Sequence, residues 1–145
     1  MKSKQIFARM SAVGVFALAG VGLGAGPSSA ANSQCPTGAA CIWGENDYTG
    51  CFFDRQISGK VTYWESCSGS RISATNGANS AKNEGTSCDA RFYDWSDQTG
   101  KYIQFNRMSS GASYQDPYLA NGGGLGSYNG ENWQNRISSI RFVNC

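Results

Sequence analysis

The stretch CIWGENDYTGCFF (41–53) and the stretch RFYDWSDQTGKYI (91–103) lie fifty residues apart and fall into step when one is slid over the other. Asp47 meets Asp97, Thr49 meets Thr99 and Gly50 meets Gly100, while the aromatic pairs Trp43/Tyr93 and Phe52/Tyr102 coincide. Each stretch reads as strand, tight glycine-bearing hairpin, strand, because aromatic and β-branched residues flank a cluster of turn formers. The likeness continues downstream. NGANSAKN (76–83) follows the first stretch and NRISSIRF (135–142) the second, each an Asn-rich turn, a serine and a strand-like run. A supersecondary unit that recurs in order is the signature of an internal repeat.

Past residue 31, Gly, Ser and Asn interrupt every helical periodicity before a third turn. Short runs rich in aromatic and β-branched residues occur instead at 41–43, 51–53, 61–64, 90–93, 101–105 and 140–143. Many short strands joined by glycine-rich turns predict an all-β sandwich or barrel.

The beginning of the chain has another composition. Lys2, Lys4 and Arg9 precede an uncharged, mostly apolar stretch (10–23), then Gly24-Ala25-Gly26-Pro27 and the small residues Ser28-Ser29-Ala30. This reads as a secretory signal peptide over 1–30, cut after Ala30. A membrane-spanning helix needs about 20 apolar residues; this stretch is shorter and interrupted by Gly14, Gly20 and Gly22. No membrane anchor is expected, and the mature chain is read as secreted, extracellular and monomeric. It forms one domain over 31–145, with repeat one at about 35–87 and repeat two at about 88–145.

Removing residues 1–30 takes three of the twelve basic residues and none of the ten acids, leaving nine against ten, a net charge of −1. With no Lys/Arg run, the electrostatic footprint of a nucleic-acid binder is missing. All six cysteines, Cys35, Cys41, Cys51, Cys67, Cys88 and Cys145, lie in the mature part. In an oxidising compartment an even set predicts three disulfides, each stabilising by about 2–4 kcal/mol. A zinc site needs closer Cys pairs or His partners, and the sequence has no histidine. Sequence leaves the fifteen possible pairings open.

The missing histidine also excludes Ser-His-Asp and Cys-His catalysis. Acids available for a carboxylate pair (Asp47, Asp54, Glu65, Asp94, Asp97 and Glu131) lie in or beside Gly/Asn-rich turns, where carboxylates cap turns or face solvent. A non-enzymatic protein is expected.

Trp43-x4-Tyr48-x-Gly50 is similar to the aromatic-x4-aromatic-x-Gly signature of the βγ-crystallin Greek key, whose glycine takes the positive φ of a folded hairpin. Ser80 and Ser139 resemble the family serine that bonds this hairpin to the sheet. The second copy reads Tyr93-x4-Gln98-x-Gly100, with glutamine in place of an aromatic. The resemblance implies a βγ-crystallin-like, two-Greek-key β-sandwich, here disulfide-stapled. Within that superfamily, a signal peptide followed by CPTGAACIW (35–43) and an ending NRISSIR (135–141) resembles the secreted actinobacterial proteins of peptidase inhibitor family I36. That resemblance implies inhibition of an extracellular protease, a metalloproteinase among characterised members.

An inhibitor needs an exposed, rigid, extended segment. The excursion CSGSRISATNGANSAKNEGTSC (67–88) offers Arg71-Ile72, a basic residue for a trypsin-like enzyme or an aliphatic one for a thermolysin-like enzyme. Its alternative is an ordinary long connection. The loop at Gly122-Gly123-Gly124, with Leu119, Leu125 and Tyr128, is a second candidate, expected to be flexible. By the crystallin resemblance, Asn76, Ser80, Asn135 and Ser139 are candidate calcium ligands. Their stretches retain no strong carboxylate, so binding would be weak, and the alternative is that all four are turn and hairpin hydrogen-bonders. No other cofactor is expected. Tyr114, Tyr118, Tyr128 and Trp133 are divided between core and a stacking surface. The alternative function is a crystallin-like module binding calcium or a cell surface, as killer-toxin-like proteins of this fold do.

Overall fold

The computed structural model describes residues 34–63 and 73–145. Among the described residues there are eight strands: β1 (Ala40–Trp43), β2 (Phe52–Arg55), β3 (Gly59–Lys60), β4 (Ser80–Asn83), β5 (Asp89–Tyr93), β6 (Tyr102–Phe105), β7 (Gln115–Asp116) and β8 (Ser139–Val143). Short 3-10 turns at Met108–Ser110 and Leu119–Asn121 are the helical elements among the described residues.

The strands form two antiparallel sheets, ordered β2-β1-β4-β7 and β3-β8-β5-β6. β1 lies between β2 and β4, with Ile42 opposite both Phe53 and Ala81. β5 lies between β6 and β8 in the corresponding way, with Phe92 opposite Ile103 and Ile140. The third strand of each copy crosses over. β3 pairs with β8 of the second copy, and β7 pairs with β4 of the first. Neither copy completes a four-stranded sheet by itself, and this exchange makes two interlocked Greek keys.

Alternation along the strands decides what each face buries. Ile42, Phe53, Phe92, Ile103, Phe105 and Ile140 point between the sheets and meet Leu119, Trp133 and Ile137 from the long second connection. Burying each large side chain stabilises by about 1.5–3 kcal/mol. Residues of opposite parity on β1 and β2, Cys41, Trp43 and Phe52, form a second small core on the outer face with Cys35, Ala39 and Tyr48. The Cys35–Cys41 disulfide closes the arm over this face, and Trp43 meets Tyr48 edge-on at 5.2 Å. Cys88–Cys145 ties the approach to β5 to the last residue. Cys51 is disulfide-bonded too, its partner lying outside the described residues, as Cys67 does.

The strand expected at 61–64 is displaced. Pairing with β8 is made earlier, through Gly59↔Ile140 and Lys60↔Ser139. Val61 turns into the core and Tyr63 makes an isolated bridge to Ser73. Register is set by the partner strand, and an aromatic, β-branched run signals only that a strand is near.

Candidate functional site

The antiparallel strand directions send the hairpins 44–51 and 94–101, the described ends of the excursion at 61–63 and 73–79, and the start and end of the connection 117–138 to one end of the molecule. The two hairpins are fastened there by the same device. The Ser80 hydroxyl accepts the Tyr48 N–H at 3.1 Å and donates to the Glu45 carbonyl at 2.8 Å. The Ser139 hydroxyl accepts the Gln98 N–H at 3.0 Å and donates to the Trp95 carbonyl at 2.5 Å. Both serines are buried. Gly50 (φ 77°) and Gly100 (φ 81°) take the left-handed conformation that the fold-over requires.

The excursion leaves this platform through a short stem. The Ala74 N–H donates to the Thr62 carbonyl at 2.8 Å, Tyr63 bridges Ser73, and the Thr75 hydroxyl donates to the Val61 carbonyl at 2.8 Å. Val61, Thr62, Tyr63, Ser73 and Thr75 also line a depression of ≈ 300 Å³. The second copy braces the stem, since the N–H groups of Asn76 and Asn135 reach the carbonyls of Ile137 and Ala78 at 2.9 and 2.8 Å. The Ser138 hydroxyl donates to Asn76 Oδ1 at 2.6 Å, and the Val61 N–H donates to the Ser138 carbonyl at 2.9 Å. Arg71 and Ile72 lie outside the described residues, as does the stretch 1–30 expected to be a signal peptide. The stem fixes both ends of the nine-residue stretch 64–72 that holds them.

The four calcium candidates have visible occupations. Ser80 and Ser139 hold hairpins, Asn76 accepts from Ser138, and Asn76 and Asn135 share a positive φ of 57° and 58°. One neutral oxygen nearby, Asn79 Oδ1, is buried without a partner. Among the described residues no group of three or more His, Cys, Asp or Glu could hold a metal. A calcium ion, which takes six to eight oxygens, would depend on neutral amides and carbonyls here.

The glycine loop departs from the flexibility expected of it. A Cβ on Gly124 would stand 2.6 Å from the Gln104 carbonyl oxygen, and one on Gly122 would meet the Asn129 carbonyl. These glycines permit backbone to lie against backbone. Leu125 exchanges two hydrogen bonds with Gln104 on β6, at 2.7 and 2.9 Å. Of the nearby aromatics, Trp133 is wholly buried and Tyr128 packs against the core, while Tyr118 is exposed and donates its hydroxyl to Asp47 at 2.7 Å. That contact raises the Tyr118 phenol above its ordinary range.

An ion cluster holds the same loop to the second hairpin. Glu131 accepts from Lys101 at 2.7 Å and from Arg136 at 2.8 Å, and Arg136 reaches Asp94 at 3.3 Å. The hydrogen bonds from Lys101 and Arg136 lower the Glu131 carboxyl below its usual range.

Exchanged third strands and two serine-fastened hairpins define a double Greek key of the βγ-crystallin class, with a braced stem at 61–63 and 73–75. The chain belongs to peptidase inhibitor family I36, whose model matches residues 28–105. Membership of a family of proteinaceous inhibitors makes this a non-enzymatic protein. No curated protein is significantly similar to the chain. Solved structures similar to it include a βγ-crystallin from an archaeon (16% identity, TM-score 0.48, covering 74% of this chain and 100% of that one). Another is a βγ-crystallin from Ciona intestinalis (13%, 0.48, 73% and 100%). A third is a βγ-crystallin domain from Clostridium beijerinckii (14%, 0.46, 74% and 99%). The fold assignment rests on the strand order and the serine contacts.

Proposed function

We propose that the chain is a secreted inhibitor of an extracellular protease, released after removal of residues 1–30 and acting as a monomer. Family membership supports the inhibitor role, and disulfides at Cys35–Cys41 and Cys88–Cys145 suit an oxidising exterior. The observation that carries the reading is the braced stem, which holds 62–63 against 73–74. Fixing both ends of a nine-residue segment removes much of the ordering entropy that a protease would otherwise have to overcome on binding it. Arg71 and Ile72 are the proposed contact residues, with the aliphatic Ile72 suiting the apolar primed-side subsite of a metalloproteinase. Inhibition assays of the mature chain against thermolysin-like, subtilisin-like and trypsin-like enzymes test this. Equimolar loss of a thermolysin-like activity is expected, and full activity of every enzyme at micromolar protein refutes it.

A second reading, a crystallin-like module tuned by calcium, draws on the unpartnered Asn79 Oδ1 one residue before Ser80. It predicts a melting temperature that rises with calcium and falls with chelator. An unchanged melt removes it.

A further inference from the structure

The two copies treat the same strand positions differently. On the outer face of the first sheet, Cys41 on β1 has Asp54 and Lys82 as its register partners on either side. On the outer face of the second sheet, Arg91 on β5 has Gln104 and Arg141. These positions are equivalent residue by residue. A slide of fifty carries Cys41 to Arg91 and Asp54 to Gln104, and setting Ser80 over Ser139 carries Lys82 to Arg141 and Glu84 to Val143.

In the first copy the cation is neutralised and covered. Lys82 pairs with Glu84, their side chains being 10% and 12% exposed, and the arm carrying Cys35 and Ala39 closes over the face. The second copy lacks both devices. Val143 stands at the place of Glu84, and Arg141 is exposed, its side chain making no ion pair or hydrogen bond among the described residues. Arg141 lies directly across from Arg91, and like charges so opposed repel. Arg91 is nonetheless held along the sheet, because its Nε donates to Gln104 Oε1 at 2.9 Å and its guanidinium lies 4.5 Å from the Tyr102 ring centroid. The terminal nitrogens of Arg91 make no hydrogen bond among the described residues. Asp89, the acid on this face, is occupied by neutral donors: the Arg107 backbone N–H at 3.0 Å, the Asn144 amide at 2.8 Å and Gln104 Nε2 at 3.3 Å.

We propose that the open outer face at Arg91 and Arg141 docks an acidic segment of a partner protein, one carboxylate of which lies between the two guanidiniums and does for them what Glu84 does for Lys82. Charge complementarity carries the choice of occupant. Two adjacent guanidiniums offer a carboxylate several charge-assisted hydrogen bonds, and its arrival replaces the repulsion between them with attraction. A polyphosphate is the poorer fit, since such a polymer calls for a run of cations and the mature chain has none. The docking stands whether or not the chain inhibits a protease.

The test titrates the mature chain at low ionic strength with a short peptide alternating Glu and Thr, with the same peptide carrying Gln for Glu, and with inorganic polyphosphate, following backbone amide shifts. Saturable shifts at 89–91, 102–104 and 139–141 are expected with the Glu peptide and not with the Gln peptide, and they should fade as salt is raised. Arg141→Gln should weaken the binding about tenfold, and Arg141→Glu further, with a melting temperature equal to or above wild type because the opposed charges are relieved. Arg91→Gln should weaken it likewise. If that variant melts lower, through loss of the Gln104 and Tyr102 contacts, Arg141→Gln decides alone. No saturable shift with the Glu peptide, equal shifts with the Gln peptide, binding undiminished in Arg141→Gln, or tighter binding of polyphosphate than of the peptide overturns the proposal.

Discussion

The buried hydroxyl of Ser80 accepts a hydrogen bond from the backbone N–H of Tyr48, 32 residues earlier in the chain, at 3.1 Å. It simultaneously donates to the Glu45 carbonyl, so one oxygen satisfies both a donor and an acceptor of the folded hairpin. Ser139 does the same for Gln98 and Trp95. Ser80→Ala and Ser139→Ala should each destabilise by about 1–3 kcal/mol, because each removes the hydroxyl partner of two backbone groups, the Tyr48 N–H buried and the others partly buried. Urea denaturation checks this, and wild-type midpoints would show that water replaces the hydroxyl without cost.

Two glycines of similar backbone conformation separate conformational strain from collision. A Cβ added at Gly111 (φ 74°) would meet nothing within 4 Å, whereas one at Gly124 (φ 62°) would meet the Gln104 carbonyl oxygen at 2.6 Å. Gly111→Ala should cost about 1 kcal/mol, the left-handed penalty alone. Gly124→Ala should cost roughly 2–4 kcal/mol, since a backbone atom must also move. Equal midpoints in a denaturation series would show that residues 122–126 yield freely.

Tyr48 is buried beneath the Cys35–Cys41 arm, and its hydroxyl has no hydrogen-bond partner among the described residues. Burial pushes the phenol well above its ordinary range, with Asp116, Tyr114 and Asp47 adding to the shift. Tyr48→Phe removes an unsatisfied polar atom and keeps the ring against Trp43. It should raise stability by about 1 kcal/mol, read as a higher melting temperature.

Glu131 gives the ion cluster a pH dependence. Its folded-state pKa is depressed, so the cluster's contribution is fully present above the ordinary glutamate value, about 4.3. That contribution falls away as pH drops through the lowered folded value. Glu131→Gln should therefore melt below wild type at neutral pH and converge with it in acid. Parallel melting curves across this range would remove the clamp from the account.

The hairpins and their serines are legible in the sequence because their chemistry is local: a glycine where φ must be positive, a serine where a hydroxyl must reach back. The strand at Gly59–Lys60 is not, since its position comes from pairing with β8, at the far end of the chain, rather than from its own composition. β7, Gln115–Asp116, has no strand-forming residue and exists only because β4 offers an edge. The run Gly122-Gly123-Gly124 suggests mobility, yet there the absent side chains let backbones touch at Gln104 and Asn129. Sequence leaves fifteen disulfide pairings open; strand geometry brings Cys35 to Cys41 and Cys88 to Cys145. Arg71-Ile72 lies beyond the described residues, and the structure speaks of it only through the stem at Tyr63 and Ser73.

Titration of a thermolysin-like enzyme with the mature chain, alongside Arg71→Ala and Ile72→Ala variants, decides whether the braced excursion is an inhibitory loop. A linear fall in activity to an equimolar end-point is expected, with the end-point lost in the Ile72→Ala variant and its melting temperature unchanged. Undiminished protease activity at a molar excess of the folded wild-type chain, across metallo-, serine and subtilisin-like enzymes alike, would contradict it.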